Sequence, residues 1–338
     1  MAMDKSASDS YVYAKASGML ASSFVGKRAS SLFSVHSLRE LWSLVFPEKD
    51  LPVLPESLLA KKIENEVQER FISQYTHLLE NYEKPSPLLT AFLHYFDYDN
   101  LKEAAAALCG GEKEKPDFFD IGNYTILNLE AWPDLEKIVL PCPGLSFFGT
   151  VPERKELHEY ESHIDARYIR EVWKALDSLD GECRKEMKKF LQEKISMDNL
   201  LWSLRLRFYY KMPEDLVVNE LTYVTTEGNK DDPVAKDALQ SLKWDLDERE
   251  TWFKSKFSKF LNPYDGGNIW TIDPCWVDSS FKKYFVEKAL RLFHLYPFTQ
   301  APMICWFILK RHEADMIRTA AEGIRLNVDS SFVMQMEA

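Results

Sequence analysis

MDNLLWSLRLRFYYKMPEDL, residues 197–216, reads as a helix over 197–211 that opens on Asp198-Asn199-Leu200. The same tripeptide stands 99 residues earlier, as Asp99-Asn100-Leu101. Side-chain oxygens of Asp and Asn accept hydrogen bonds from the free N–H groups of a helix's first turn. Each copy therefore predicts a sharp turn followed by a helix start.

The surroundings extend the recurrence. Ile164-Asp165-x-x-Tyr168 precedes Asn199 by 34 residues, and Val277-Asp278-x-x-Phe281 precedes Asp315 by 37, counted from each Asp. Phe190-Leu191 and Trp306-Phe307 precede Asn199 and Asp315 at one distance, and Phe92 lies near that offset before Asn100. In the last third, Asp315-Met316-Ile317-Arg318 takes the place of Asn199-Leu200-Leu201-Trp202. A period near 100 residues is too long for the common helical solenoids. It fits a triplicated helical domain: 11–150, including an irregular connector at 112–150, then 151–233, then 234–338. The bland alternative is chance similarity among helix starts.

The remaining periodicity is helical, so the predicted class is all-α. Residues 11–46 read as helix interrupted near Gly18 and Gly26, with Ser37 and Glu40 spaced as a capping box. Leu59, Ile63, Val67, Phe71, Tyr75 and Leu78 mark one buried face of a helix over 57–82. Further helices are expected at 88–108, 153–180, 182–195, 213–224, 234–261, 276–295, 301–312 and 313–325. Cys109-Gly110-Gly111 should end the first of these. The 112–150 connector has room for a short hairpin.

The chain has 338 residues and a net charge of −11. That charge disfavours bare nucleic acid, which requires a basic footprint, and an anionic membrane surface. It serves solubility, or an acidic face that meets a basic partner. The odd number of widely spaced cysteines suits a reduced, intracellular protein. The N-terminus lacks the apolar core of a signal peptide. The most apolar run, 296–309, is too short to span a bilayer and contains Pro297 and Pro302.

Sites for chemistry are not found. No phosphate-cradling glycine loop occurs, and no cofactor is implied. His158 and His163 are five apart and fall on different helix faces, whereas zinc helices use a spacing of four. Asp265, Asn268 and Asp273 lack the order and the final Glu of a calcium loop. The basic run from Arg184 to Lys211 reads as a solvated face, or as a docking strip for an acidic helix. These absences favour an architectural or coupling role.

Three places resemble the C subunit of V/A-type ATPases, the equivalent of the d subunit of eukaryotic V-ATPases. They are Tyr11-Val12-Tyr13-Ala14 with Leu20; Met197-Asp198-Asn199-Leu200 leading to Pro213-Glu214; and Ala301-Pro302, Lys310-Arg311, Glu313 and Met316-Ile317-Arg318 through Gly323. Cys305-Trp306 stands where that family tends to have small residues. The resemblance implies three similar helical domains in a pseudo-threefold funnel. It implies a non-catalytic central-stalk rotor subunit, cytoplasmic and peripheral at the inner face of the membrane. Its partners would be central-stalk subunits and the membrane proteolipid ring, serving ion transport. Asn100, Asp198, Asn199, Asp315 and Arg318 are the expected interface residues. The competing readings are a soluble helical scaffold, or an enzyme using carboxylates with His158, His163, His294 or His312.

Overall fold

The computed structural model describes residues 5–328 apart from 226, 227, 229, 265 and 268. Asp265 and Asn268 of the calcium-loop reading therefore lie outside the described residues. The described residues form helices and connections, with no strand. The helices are α1 (Lys5–Ser22), α2 (Leu38–Val45), α3 (Glu56–Leu79), α4 (Pro87–Leu93), α5 (Tyr95–Gly110), α6 (Leu135–Val139), α7 (Leu157–Ala175), α8 (Gly181–Tyr210), α9 (Glu214–Asn219), α10 (Lys236–Ser241), α11 (Arg249–Lys254), α12 (Pro274–Leu295) and α13 (Ala301–Arg325).

Several boundaries follow from local chemistry. Ser37 accepts from Glu40 N–H at 3.2 Å, and Glu40 reaches back to His36 N–H at 2.9 Å, one residue earlier than a standard capping box. Gly111 adopts φ +76 and closes α5, a conformation open to glycine without steric cost. Gly18 does not interrupt α1, whereas Gly26 with φ +62 redirects the chain into a 3₁₀ turn.

The largest departures concern the repeated motif. Asn100 lies inside α5, Asp198 and Asn199 lie inside the continuous 30-residue α8, and Asp315 lies inside α13. None of them starts a helix. The amide groups that should cap their own helix reach across to another segment instead. Asn100 Nδ2 donates to Phe119 O at 2.7 Å, and Asn100 Oδ1 accepts from Phe119 N at 2.8 Å. Asn199 makes the same two-way clasp with Thr222, both bonds at 2.8 Å, and also donates to Val234 O at 3.0 Å. At Asn100 and Asn199 the motif therefore marks a helix-to-loop clasp, whereas Asp315 bonds Arg318 on its own helix.

Elsewhere the predicted 234–261 helix is two short helices, α10 and α11, with Trp244 between them packed edge to face on Trp252. The 112–150 connector holds no hairpin. It contains short 3₁₀ turns and α6, and it is tied to α5 by Asn100 and by Asp97. The fully buried Asp97 accepts from Ile126 N–H at 2.6 Å and Thr125 Oγ at 3.0 Å.

Burial pushes the Asp97 carboxyl up to about 6, against the opposing pull of those donors. Unfolded Asp titrates near about 3.9. Between these values the folded chain holds a proton that the unfolded chain lacks. This contribution is therefore full below about pH 4 and is lost as pH rises through about 6. Relative to Asp97→Asn, the wild type should lose roughly 3 kcal/mol between pH 4 and pH 7. Denaturant melts of both proteins across that range measure the difference; parallel curves would refute it.

Packing joins consecutive thirds of the chain. α4 and α5 pack on α7, α8 packs on α12, and α13 packs on α3, while α12 and α13 pair with each other. One large core runs through these contacts, and Phe190 stacks on Phe285 with centroids 4.4 Å apart. Trp306 is fully buried, 5.8 Å from Phe71 and 6.0 Å from Tyr75 between ring centroids. A second core joins α2, the first half of α3 and the end of α13.

Candidate functional site

The helices converge on an open cleft of about 620 Å³. α4 and α5 contribute Phe92, Tyr95 and Lys102, and α7 contributes Asp165 and Tyr168. α8 contributes Lys194, Asp198, Trp202 and Arg205; α12 contributes Asp278 and Phe281; α13 contributes Arg311, His312 and Asp315. Helices from all three thirds of the chain thus share one concave surface, aromatic on its walls and densely charged.

The charges are mostly cross-linked. Lys102 bonds Asp165 at 2.9 Å, linking α5 to α7. Arg205 bonds Asp278 at 2.7 Å, linking α8 to α12. Arg318 faces Glu64 at 3.7 Å, linking α13 back to α3. The three pairs thus tie α5 to α7, α8 to α12 and α13 to α3. Such part-exposed pairs contribute little energy each, but they fix which helix faces which.

Of the residues expected at an interface, Asp198 and Asp315 line the cleft. Asp198 is held by Lys194 at 2.5 Å and Asp315 by Arg318 at 3.1 Å. Arg318 stands one turn further along α13 and turns towards Glu64. Asn100 and Asn199 are buried, so their polar groups serve the loop clasps described above. Lys102, which lines the cleft, and Glu64, which pairs with Arg318 outside its lining, were missed from the sequence; Arg205 belongs to the basic run from Arg184 to Lys211. Ile63-Glu64-x-x-Val67 carries the apolar–acid–x–x–apolar pattern of Ile164-Asp165-x-x-Tyr168 and was the signal for the first third.

Several groups at the cleft are shifted from their ordinary values, His312 and Arg311 among them. Burial drives His312 below its ordinary value, which keeps it neutral near pH 7. Burial also works against the Arg311 charge, but Tyr95, Tyr168, Asp315 and Asp99 more than offset it. Beside the cleft, His94 Nδ1 lies 2.6 Å from Glu171, which also accepts from Tyr98 at 2.7 Å. His158, by contrast, is exposed on α7 near Trp202. Among the described residues, no cluster of three or more His, Cys, Asp or Glu is placed to hold a metal ion.

The profile of the ATP synthase (C/AC39) subunit family matches residues 49–336, most of the chain. The chain belongs to that family. Membership makes this AC39-type chain a subunit of a V-type ATPase, in a family that is itself non-catalytic. It is also similar to an "Uncharacterized protein" of Treponema pallidum (strain Nichols). The two are 28% identical over 326 residues, spanning 96% of this chain and 94% of that protein. In the AC39-type chain, no helix among the described residues is long and apolar enough to cross a membrane.

Proposed function

We propose that this chain is the rotor subunit that couples the central shaft of a V/A-type ATPase to the membrane proteolipid ring. In this reading its three helical units, 11–150, 151–233 and 234–338, stand about a pseudo-threefold axis as a funnel. The foot of the shaft seats in the cleft. The chain transmits torque for ion transport without chemistry of its own, peripheral at the cytoplasmic face. The observation that carries this reading is the cleft itself, walled by helices from every third of the chain and carrying the Lys102–Asp165 and Arg205–Asp278 pairs between them. A coupler needs a stiff body with broad contacts, and the continuous core beneath the cleft supplies stiffness.

The test is a mild-detergent pull-down of tagged protein from its native membranes, with mass spectrometry of the bound material. Central-stalk subunits, proteolipid and catalytic ATPase subunits should be recovered together. A soluble protein that brings none of them would overturn the coupler reading and leave a helical scaffold.

A further inference from the structure

The cleft contains an imbalance that its internal pairs do not absorb. Lys102, Lys194, Arg205 and Lys282 each reach a carboxylate within 3.2 Å or less. Arg311 lies on the wall between them. Among the described residues it is the cleft cation with no carboxylate in salt-bridge range. Asp99 and Asp315 act on it only from further away. Its guanidinium sits over the Tyr95 ring, 4.0 Å from the centroid, so its plane is held by a rigid aromatic platform. The buried Tyr168, another residue of the cleft wall, packs against Tyr95 with ring centroids 5.8 Å apart.

A guanidinium fixed on an aromatic face has little rotamer freedom left to lose. Its remaining edge offers several N–H donors in a planar fork, which matches the two oxygens of a carboxylate. A multiply charged phosphate fits less well here, because Asp315 acts on the same guanidinium and Asp165, Asp198 and Asp278 line the same cleft. A single carboxylate borne on a protein segment takes the Arg311 fork and keeps its distance from them.

We infer that Arg311 is the anchor of the cleft and takes an acidic side chain of the inserted protein segment in a bidentate pair against Tyr95. This deepens the coupler reading and rests on it, since the segment is the foot of the central shaft. The anchor supplies register: one fixed charge pair against the Tyr95 ring sets the angle at which the shaft is gripped.

The experiment uses the full-length chain and the purified central-shaft subunit, with affinity measured at several salt concentrations. Arg311→Met keeps the stem over Tyr95 and removes the charge. It should weaken binding about thirtyfold or more and flatten the salt dependence. Arg311→Lys keeps the charge but not the fork and should recover part of the loss. Independently of how these variants fold, alanine scanning of the acidic residues at the shaft's foot against the wild-type chain should find one position of matching cost. A wild-type chain that binds the shaft while Arg311→Met binds equally, or a scan with no costly acid, overturns the anchor and leaves the coupler reading intact. A wild-type chain that does not bind the shaft at all overturns both.

Discussion

Replacing Lys310 with methionine should destabilise the chain by about 3–5 kcal/mol. The loss would be read as a lower midpoint of denaturant unfolding at unchanged slope. Lys310 and Glu313 stand three residues apart on α13, with side chains only 6% and 3% exposed. The ammonium bonds Glu313 and also Ser23 Oγ at 3.2 Å. The other Glu313 oxygen accepts from Phe24 N–H at 2.7 Å. Burial pulls the Lys310 ammonium below its ordinary value while Glu313 resists. Methionine would preserve the packing of the stem but strand a carboxylate away from water. Glu313→Leu should cost at least as much, because it strands the ammonium and orphans the Phe24 amide. The double variant Lys310→Met with Glu313→Leu removes both charges together. It should recover most of the loss, leaving about 1–3 kcal/mol for the orphaned amide. A double variant as unstable as the two singles summed would show that the pair is not the coupled unit. The site matters to the whole body, because Ser23 and Phe24 follow the N-terminal helix and are pinned by this pair to the helix that carries Arg311.

The helical class and most long helices were legible because their apolar positions recur at three and four residues, as along α3. The recurrence of Asp-Asn-Leu was legible too, but its meaning was not. A propensity argument places Asn at a helix start, since it considers only hydrogen bonds to nearby backbone. In the folded chain Asn100 and Asn199 satisfy groups 19 and 23 residues away. Only tertiary packing brings those loops to the helix. The cleft was half legible for the same reason. Asp165 and Asp278 stood out by their aromatic partners, whereas Lys102, Arg205 and Glu64 gain significance only when successive helices face each other. Arg311 stood out only as part of a family-like stretch beside Lys310, since its own distinction is the carboxylate it lacks.

Asn199→Asp should separate a structural role from a contact role at the recurring Asp-Asn-Leu motif. Asn199 is 4% exposed. Its Nδ2 donates to Thr222 O at 2.8 Å and Val234 O at 3.0 Å, while Oδ1 accepts from Thr222 N. An aspartate keeps the acceptor but turns a second oxygen towards two carbonyl oxygens. At neutral pH this buries an uncompensated charge, and the expected loss is about 3–5 kcal/mol. The same burial raises the new carboxyl above the unfolded value of about 3.9. The folded variant then holds its proton longer than the unfolded chain. Its stability relative to wild type should therefore be best at low pH and fall as pH rises through the raised value. Asn199→Ala removes three bonds without adding charge, so its loss, about 2–4 kcal/mol, should not vary with pH. Asp198→Ala, on the adjacent exposed position, should stay within about 0.5 kcal/mol. Denaturant melts of the three variants at pH 4 and pH 7 separate these outcomes. A stable Asn199→Ala protein that no longer recovers ATPase subunits from membranes would instead place Asn199 in direct contact with a partner, and the loop clasp would not be its reason for recurring.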